Sequence, residues 1–354
     1  MITRRNLLLA AASPFARERK NVVVFQHPGR YGGWPANHGL WSWGSEAVVG
    51  FTAAWYKPNT AGHAVDREKR FEDWQSRTLD SGETWSIEKP PLTTNADNHV
   101  PHLTQLGEPL DFTSPGFAMM FGMTGIHGGP AWLYASADRC RTWSKPFAFA
   151  VDGIGGLAPR TNYLVYGKRE CIMFGSASKA DKREGRVFCA RTTDGGINWT
   201  LLSLIGPEPA GYMIMPSVVR LTDSRLLVAI RHKDPDKQGS IDFYLSEERG
   251  VSWKPFGIID NLGGGNPPAL VKLADGRLAI TYGYRAKPWG VRARISMDQG
   301  RTWGEEMVLR DDALTGDLGY PVAYQRPDSR VVSIYYFNGP RDEDRTIQAT
   351  IWQP

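Results

Sequence analysis

The chain has 354 residues, 41% hydrophobic and 22% charged, with a net charge of +5 and a pI near 9.0, a balance ordinary for a folded soluble protein. No apolar run approaches the roughly 20 residues that cross a bilayer as a helix. The Lys and Arg are scattered and no DNA- or RNA-binding motif occurs, so the basic balance points away from nucleic acid. It points instead to an anionic small molecule, because a guanidinium fork matches a carboxylate bidentately.

Residues 1–20 have the form of an export signal. Thr3-Arg4-Arg5-Asn6-Leu7-Leu8 follows the bacterial twin-arginine pattern, Leu7–Ala12 is a short apolar stretch, and small residues follow near Ala12–Ala16. The alternative is an ordinary basic amino terminus. Export implies a periplasmic or extracellular location. The three cysteines, Cys140, Cys171 and Cys189, are odd in number, and two of them sit in strand-like runs as small buried hydrophobes. No metal-ligand spacing is present and no cofactor is expected.

Beyond residue 20, one turn motif recurs. Thr78–Trp85, Ser136–Trp143, Thr192–Trp199, Ser246–Trp253 and Ser296–Trp303 share the form Ser/Thr-x-Asp-x-Gly-x-Ser/Thr-Trp, with Cys140 in place of Gly, Asn198 of Thr and Glu248 of Asp. Successive copies start 58, 56, 54 and 50 residues apart. In such a turn the Asp and Ser/Thr oxygens bond backbone N–H groups, Gly supplies a positive φ, and Trp packs back on the strands. The motif is therefore a folding staple, not a catalytic site. Paired apolar runs precede each copy: His38–Trp43 with Ala47–Tyr56, Gly116–Phe121 with Ala131–Ala135, and Tyr163–Tyr166 with Cys171–Ser176. Three more follow: Pro216–Leu221 with Leu226–Ile230, Pro268–Leu273 with Leu278–Tyr284, and Pro321–Gln325 with Val331–Phe337. Six pairs and five turns predict an all-β, six-bladed β-propeller as one domain over residues 21–354. Its sixth blade would be completed by Thr346–Trp352 and by Val22–Gln26 from the amino terminus, closing the ring and protecting its edges.

In such a ring, loops entering the inner strands and leaving the second strands converge on one funnel. That places Arg30, Trp34, Asn37 and His38 from the first blade there, with His102 from the second and Arg160 and Tyr163 from the third. Tyr212–Met215 enters the fourth, Asn266 the fifth, and Asp317 and Tyr320 the sixth, while Arg231, Tyr284 and Arg285 end second strands. Arg30 and Arg160 share one blade position, Arg231 and Arg285 another. His38, His99, His102 and His127 are acid–base candidates because imidazole titrates near neutrality, against a structural hydrogen-bonding role. Asp317 is another, against a turn-capping role.

These motifs resemble those of the sialidase (neuraminidase) superfamily, in which the recurring turn is the Asp-box or BNR repeat. The resemblance covers the chain after residue 20 and implies a sialidase-like glycoside hydrolase. Three arginines that grip the sugar carboxylate in the family correspond by position to Arg30, Arg231 and Arg285, and the tyrosine nucleophile to Tyr320. Asp66 and Glu68 lie in the loop that carries the family's acid/base. Where the family places the glutamate partner of the tyrosine, this chain reads Tyr212-Met213-Ile214-Met215, and Met215 cannot accept a proton. The resemblance thus implies a carboxylated carbohydrate substrate, sialic-acid-like or uronic. A polysaccharide lyase acting on uronates and a non-catalytic sugar-binding propeller are the alternatives. Oligomeric state is not legible.

Overall fold

The computed structural model describes residues 19–60, 62–93, 100–236, 239–339 and 341–354. The proposed signal up to residue 18, and His99, lie outside them. Among the described residues the fold is all-β, with one helix of four residues, Pro35–His38.

Each recurring unit is an antiparallel meander. Residues Leu157–Val165, Cys171–Ser178, Glu184–Thr192 and Thr200–Ile205 form one four-stranded sheet. Tyr212–Arg220, Leu226–Lys233, Ser240–Ser246 and Lys254–Ile259 form the next, and Pro268–Lys272, Leu278–Tyr284, Gly290–Ser296 and Met307–Arg310 a third. Ala118–Met123, Ala131–Ser136 and Phe147–Phe149 make a three-stranded sheet. A nine-stranded sheet unites the chain ends. Gly319–Gln325, Val331–Asn338 and Arg345–Trp352 run on through Arg30–Gly33 to Glu46–Trp55, Glu72–Thr78 and Ser86–Leu92. Arg19–Phe25 pairs with Arg345–Trp352, and Leu40–Trp43 with Glu46–Trp55. The amino-terminal strand thus closes the last sheet, starting two residues inside the expected signal.

The second strands, such as Leu226–Lys233 and Val331–Asn338, are buried on both faces. They read as near-continuous apolar runs because neighbouring sheets cover both sides. First strands of successive sheets lie side by side: Ala118–Met123 by Leu157–Val165, then Tyr212–Arg220, Pro268–Lys272 and Gly319–Gln325, with Pro35–His38 touching both Gly319–Gln325 and Leu157–Val165. Segments 36–40, 160–162, 215–218, 267–270 and 321–323 line a single narrow space of about 140 Å3 between them. Apolar clusters fill the gaps between sheets, each fully buried large side chain contributing roughly 2–3 kcal/mol.

The repeated turns are built locally. Thr78 Oγ1 donates to Asp80 at 2.7 Å and accepts from the Gly82 amide at 2.8 Å; Asp80 accepts from the Thr84 amide and hydroxyl at 2.9 and 2.6 Å. Trp85 Nε1 returns a bond to the Gly82 carbonyl. These bonds outweigh desolvation and pull the Asp80 and Asp138 carboxyls down to about 2. Cys140, replacing glycine, holds φ 62° with its thiol in an apolar cluster. All three cysteines are buried and free.

Candidate active site

The first strands do not run regularly. Register shifts interrupt three of them, between Pro159 and Tyr163, Ile214 and Ser217, and Gly319 and Val322. Such bulges re-aim side chains at a sheet's end. At the last one Gly319 has φ 108° and Tyr320 φ 51°. A Cβ at Gly319 would meet Asn266 Oδ1 at 2.5 Å, so only glycine allows this reversal. Met215, at the middle bulge, has φ 55°, and Trp34, before the short helix, also has φ 55°. A non-glycine residue held in this region costs on the order of 1 kcal/mol or more, and two of the three, Trp34 and Tyr320, line one depression.

That depression is a cleft of about 550 Å3 bounded by Trp34, His63, Arg160, Tyr212, Arg231 and Tyr320, among others. A second cleft of about 790 Å3, whose lining includes Tyr56, Arg285, Asp317 and Arg345, shares His63 with it. Arg231 stands with its guanidinium 6.0 Å from the Tyr320 ring and 5.3 Å from that of Tyr212, and Nη1 donates to Tyr320 Oη at 3.4 Å. Arg285 stands 5.7 Å from the Tyr320 ring and donates to the Leu318 carbonyl and to Tyr336 Oη. Both arginines are largely buried, and among the described residues neither pairs with a carboxylate. The Arg231 Nε–H has no partner among the described residues.

Beside them sits a carboxylate held from four directions. Asp317 accepts from His63 Nδ1 at 2.7 Å, the Ala64 amide at 2.9 Å, Tyr336 Oη at 2.8 Å and Arg345 Nε at 2.9 Å. Burial favours its neutral form, but His63, the Ala64 amide and Arg345 together hold it ionised, below the usual carboxylate range. For His63 burial dominates, and its pKa falls below the ordinary imidazole value despite Asp317. An ionised carboxylate only accepts, so the neutral ring carries its proton on Nδ1 and leaves Nε2 as an acceptor. The ring meets Trp34 edge-on at 5.1 Å, Tyr320 at 5.9 Å and Tyr336 at 6.1 Å. Burial and the Asp317 charge raise the Tyr336 pKa, keeping its hydroxyl a donor.

The structure brings together Trp34, Asn37, Arg160, Arg231, Arg285, Asp317 and Tyr320 from the residues singled out by sequence. Arg160, however, is neutralised: both terminal nitrogens donate to Glu184, and Nε donates to Asn37 at 3.0 Å. Arg30 is not at the cleft. On a strand alternate side chains oppose one another, so with Tyr31 packed toward Trp34 and Tyr336, Arg30 turns the other way. It lies over Trp55 and Trp74 and bonds Glu72. His38 is fully buried against Thr52, with burial lowering its pKa to about 3. Tyr163 is a core residue whose hydroxyl accepts from Trp41 and the Met119 amide. Asp66 faces Lys57 and bonds the Glu68 amide, outside both clefts. His102 is exposed and outside both clefts. Tyr284 lies beneath Arg292, and Asn266 is wholly buried against Gly283 and Gly319. His127 lines the far side of the first cleft, its Nδ1 accepting from the Glu184 amide. Met215 lines the narrow space between first strands, while Tyr212 and Ile214 of its strand face the cleft.

Sequence reasoning missed His63, Tyr336 and Arg345. His63 lies in the same loop as Asp66 and Glu68, three residues from the acid considered there. That loop placement was the available signal.

The fold and these turns define the chain as a sialidase-like, all-β protein. The model of the BNR repeat-like domain matches residues 74–333, and the chain belongs to that family. No curated protein matches it in sequence. Among solved structures it is similar to a protein of unknown function from Dyadobacter fermentans (TM-score 0.73, 19% identity, 94% of this chain and 97% of that one). It is also similar to the NanB sialidase of Streptococcus pneumoniae (TM-score 0.60, 11% identity, 94% and 70%). The α-L-arabinofuranosidase arb93a of Fusarium graminearum is a further likeness (TM-score 0.55, 15% identity, 92% and 96%). At these identities the likeness concerns fold. No helix among the described residues is long and apolar enough to cross a membrane.

Proposed function

We propose that the sheets form one six-bladed propeller, and that its cleft binds a carboxylated sugar and cleaves its glycosidic bond. The neighbouring first strands, the narrow space they share and the sheet uniting the chain ends support the ring. One observation carries the functional reading: among the described residues, the buried Arg231 and the half-buried Arg285 flank Tyr320 without a carboxylate partner. An uncompensated buried charge costs several kcal/mol, and a substrate carboxylate supplies the missing partner. Tyr320, whose hydroxyl accepts from Arg231, is the nucleophile, since a phenol can approach an anionic sugar without the repulsion a carboxylate would meet. Arg30 and Arg160 have no part in gripping the carboxylate, since Glu72 and Glu184 occupy them. The basic pair Arg4-Arg5 ahead of an apolar stretch favours export to the periplasm or beyond.

A second reading, β-elimination from a uronate, is favoured by one feature. Among the described residues, the Glu184, Asp317 and Asp342 carboxylates that line the clefts are already engaged by Arg160, His63 and Arg345, leaving no pair of free acids there for hydrolysis.

The test is release of aglycone from a panel of sialosides and uronic-acid glycosides, with absorbance of an unsaturated product followed in parallel. Hydrolysis without ultraviolet absorbance is expected, weakened at least tenfold by Arg231→Ala and by about 10³ in Tyr320→Phe. Full activity in both variants overturns the assignment, and an absorbing product moves it to elimination. Binding measured by calorimetry without any turnover would make the protein a sugar-binding propeller.

A further inference from the structure

We infer that His63 exchanges a proton with Tyr320, taking the part of the missing glutamate, and that Asp317 positions it. The inference rests on the reading of the cleft as a glycoside-cleaving site. Four observations bear on it. Met215 leaves the adjoining strand without a proton acceptor, and Tyr212 and Ile214 face the cleft in its place. His63 lines both clefts. Its Nδ1 is committed to Asp317, itself anchored by the Ala64 amide and by Arg345, so the ring is fixed in one tautomer with Nε2 unprotonated. Its ring contacts that of Tyr320. The charged and titratable groups facing it are Asp317, Tyr320, Tyr336, Arg285 and Arg67. The two arginines disfavour an imidazolium, whereas Asp317 supports one formed transiently.

The step balances as follows. Tyr320 Oη bonds the anomeric carbon as its proton passes to His63 Nε2. The glycosidic C–O bond breaks with its electron pair going to the departing oxygen, which is protonated by solvent. Water then attacks the anomeric carbon and loses a proton to solvent, while the Tyr320 C–O bond breaks and the phenolate recovers its proton from His63. Positioned acid–base groups of this kind are worth about 10²–10⁴ in rate.

The experiment uses the full chain with 4-methylumbelliferyl N-acetylneuraminide and glucuronide as turnover probes, and free N-acetylneuraminate and glucuronate as binding probes. His63→Gln should lower kcat at least 100-fold, leave Kd within threefold, and remove the fall of kcat on the acid side of the pH profile. Combining it with Tyr320→Phe should cost no more than Tyr320→Phe alone, because the two act as a unit. Asp317→Asn should lower kcat less than His63→Gln and shift the acid limb. Ring-nitrogen NMR should find His63 neutral at pH 7 with its proton on Nδ1. The assignment falls if His63→Gln keeps kcat and the acid limb, if the losses multiply, if the ring is protonated on Nε2, or if the wild type turns over neither probe. Failure of the cleft reading is separate: Arg231→Ala would then bind both sugars as the wild type does.

Discussion

Two aspartates of this molecule are both ionised well below the usual range, and they reach that state by opposite routes. Asp80, in a repeated turn, is held by Thr78 and Thr84, two and four residues away, at the edge of solvent. Asp317 is buried and held by His63, Ala64, Tyr336 and Arg345, from 19 to 254 residues away. The first is a local device repeated along the chain. The second is built where loops and strands from the two ends of the chain converge in the nine-stranded sheet, and its ligands include a histidine facing a cleft. Local satisfaction builds a fold, whereas convergent satisfaction builds a site.

The comparison can be broken most sharply at Tyr320. Tyr320→Phe should lower turnover of a cleaved sugar by about 10³ with an unchanged thermal midpoint. Trp303→Phe, in the fifth repeated turn, should lower the midpoint with turnover intact. Equal effects on both quantities in either variant would erase the distinction.

Removing the convergent carboxylate should cost stability as well. Asp317→Asn leaves buried Arg345 short of its partner, and breaking such a pair costs about 3–5 kcal/mol. Asp80→Asn keeps one oxygen for its exposed turn and should cost about 1 kcal/mol. Urea unfolding of the two variants gives the ratio directly.

Acid should separate the regions by sign. His38 is buried and neutral, with a folded pKa of about 3 against 6.5 unfolded. Protonation therefore favours the unfolded chain, and stability present above pH 6.5 is lost as pH falls from there toward 3, by a few kcal/mol. The depressed carboxyls act lower, losing their contribution only between about pH 4 and 2. His38→Gln should flatten the loss above pH 4 and leave the lower portion, as read by midpoints across pH.

The smallest contrast lies in two glycines at φ 89° and 90°. A Cβ at Gly300 meets Leu227 at 2.4 Å, whereas Gly276 is open. Gly276→Ala should cost about 1 kcal/mol from backbone strain, and Gly300→Ala should cost more through the added clash.

Much of the architecture was legible in the chain. The run Leu278–Tyr284 is a strand with the expected bounds, and the pairs at Ala131, Leu226 and Val331 fall within a few residues of their strands. Strands were extended at their first ends, as at Leu157 and Tyr212, because bulges there interrupt the alternation that marks a strand. The site was half legible. Arg231, Arg285 and Tyr320 were found from their place in the repeat, but the same reasoning carried Arg30, whose alternation on a short unforeseen strand turns it away. Arg160 carried the right position and the wrong availability, because Glu184 is a neighbour only in space.

By itself the sequence determined the repeating sheet unit, its turns and the strand order, because those depend on contacts within a few residues and on period-two patterning. Tertiary structure alone decided which arginines remain without a counter-charge, that His63 and not Asp66 faces Tyr320, and that Asp317 binds His63. Those outcomes depend on groups that approach across 250 residues of chain, where neither spacing nor side-chain type records the meeting.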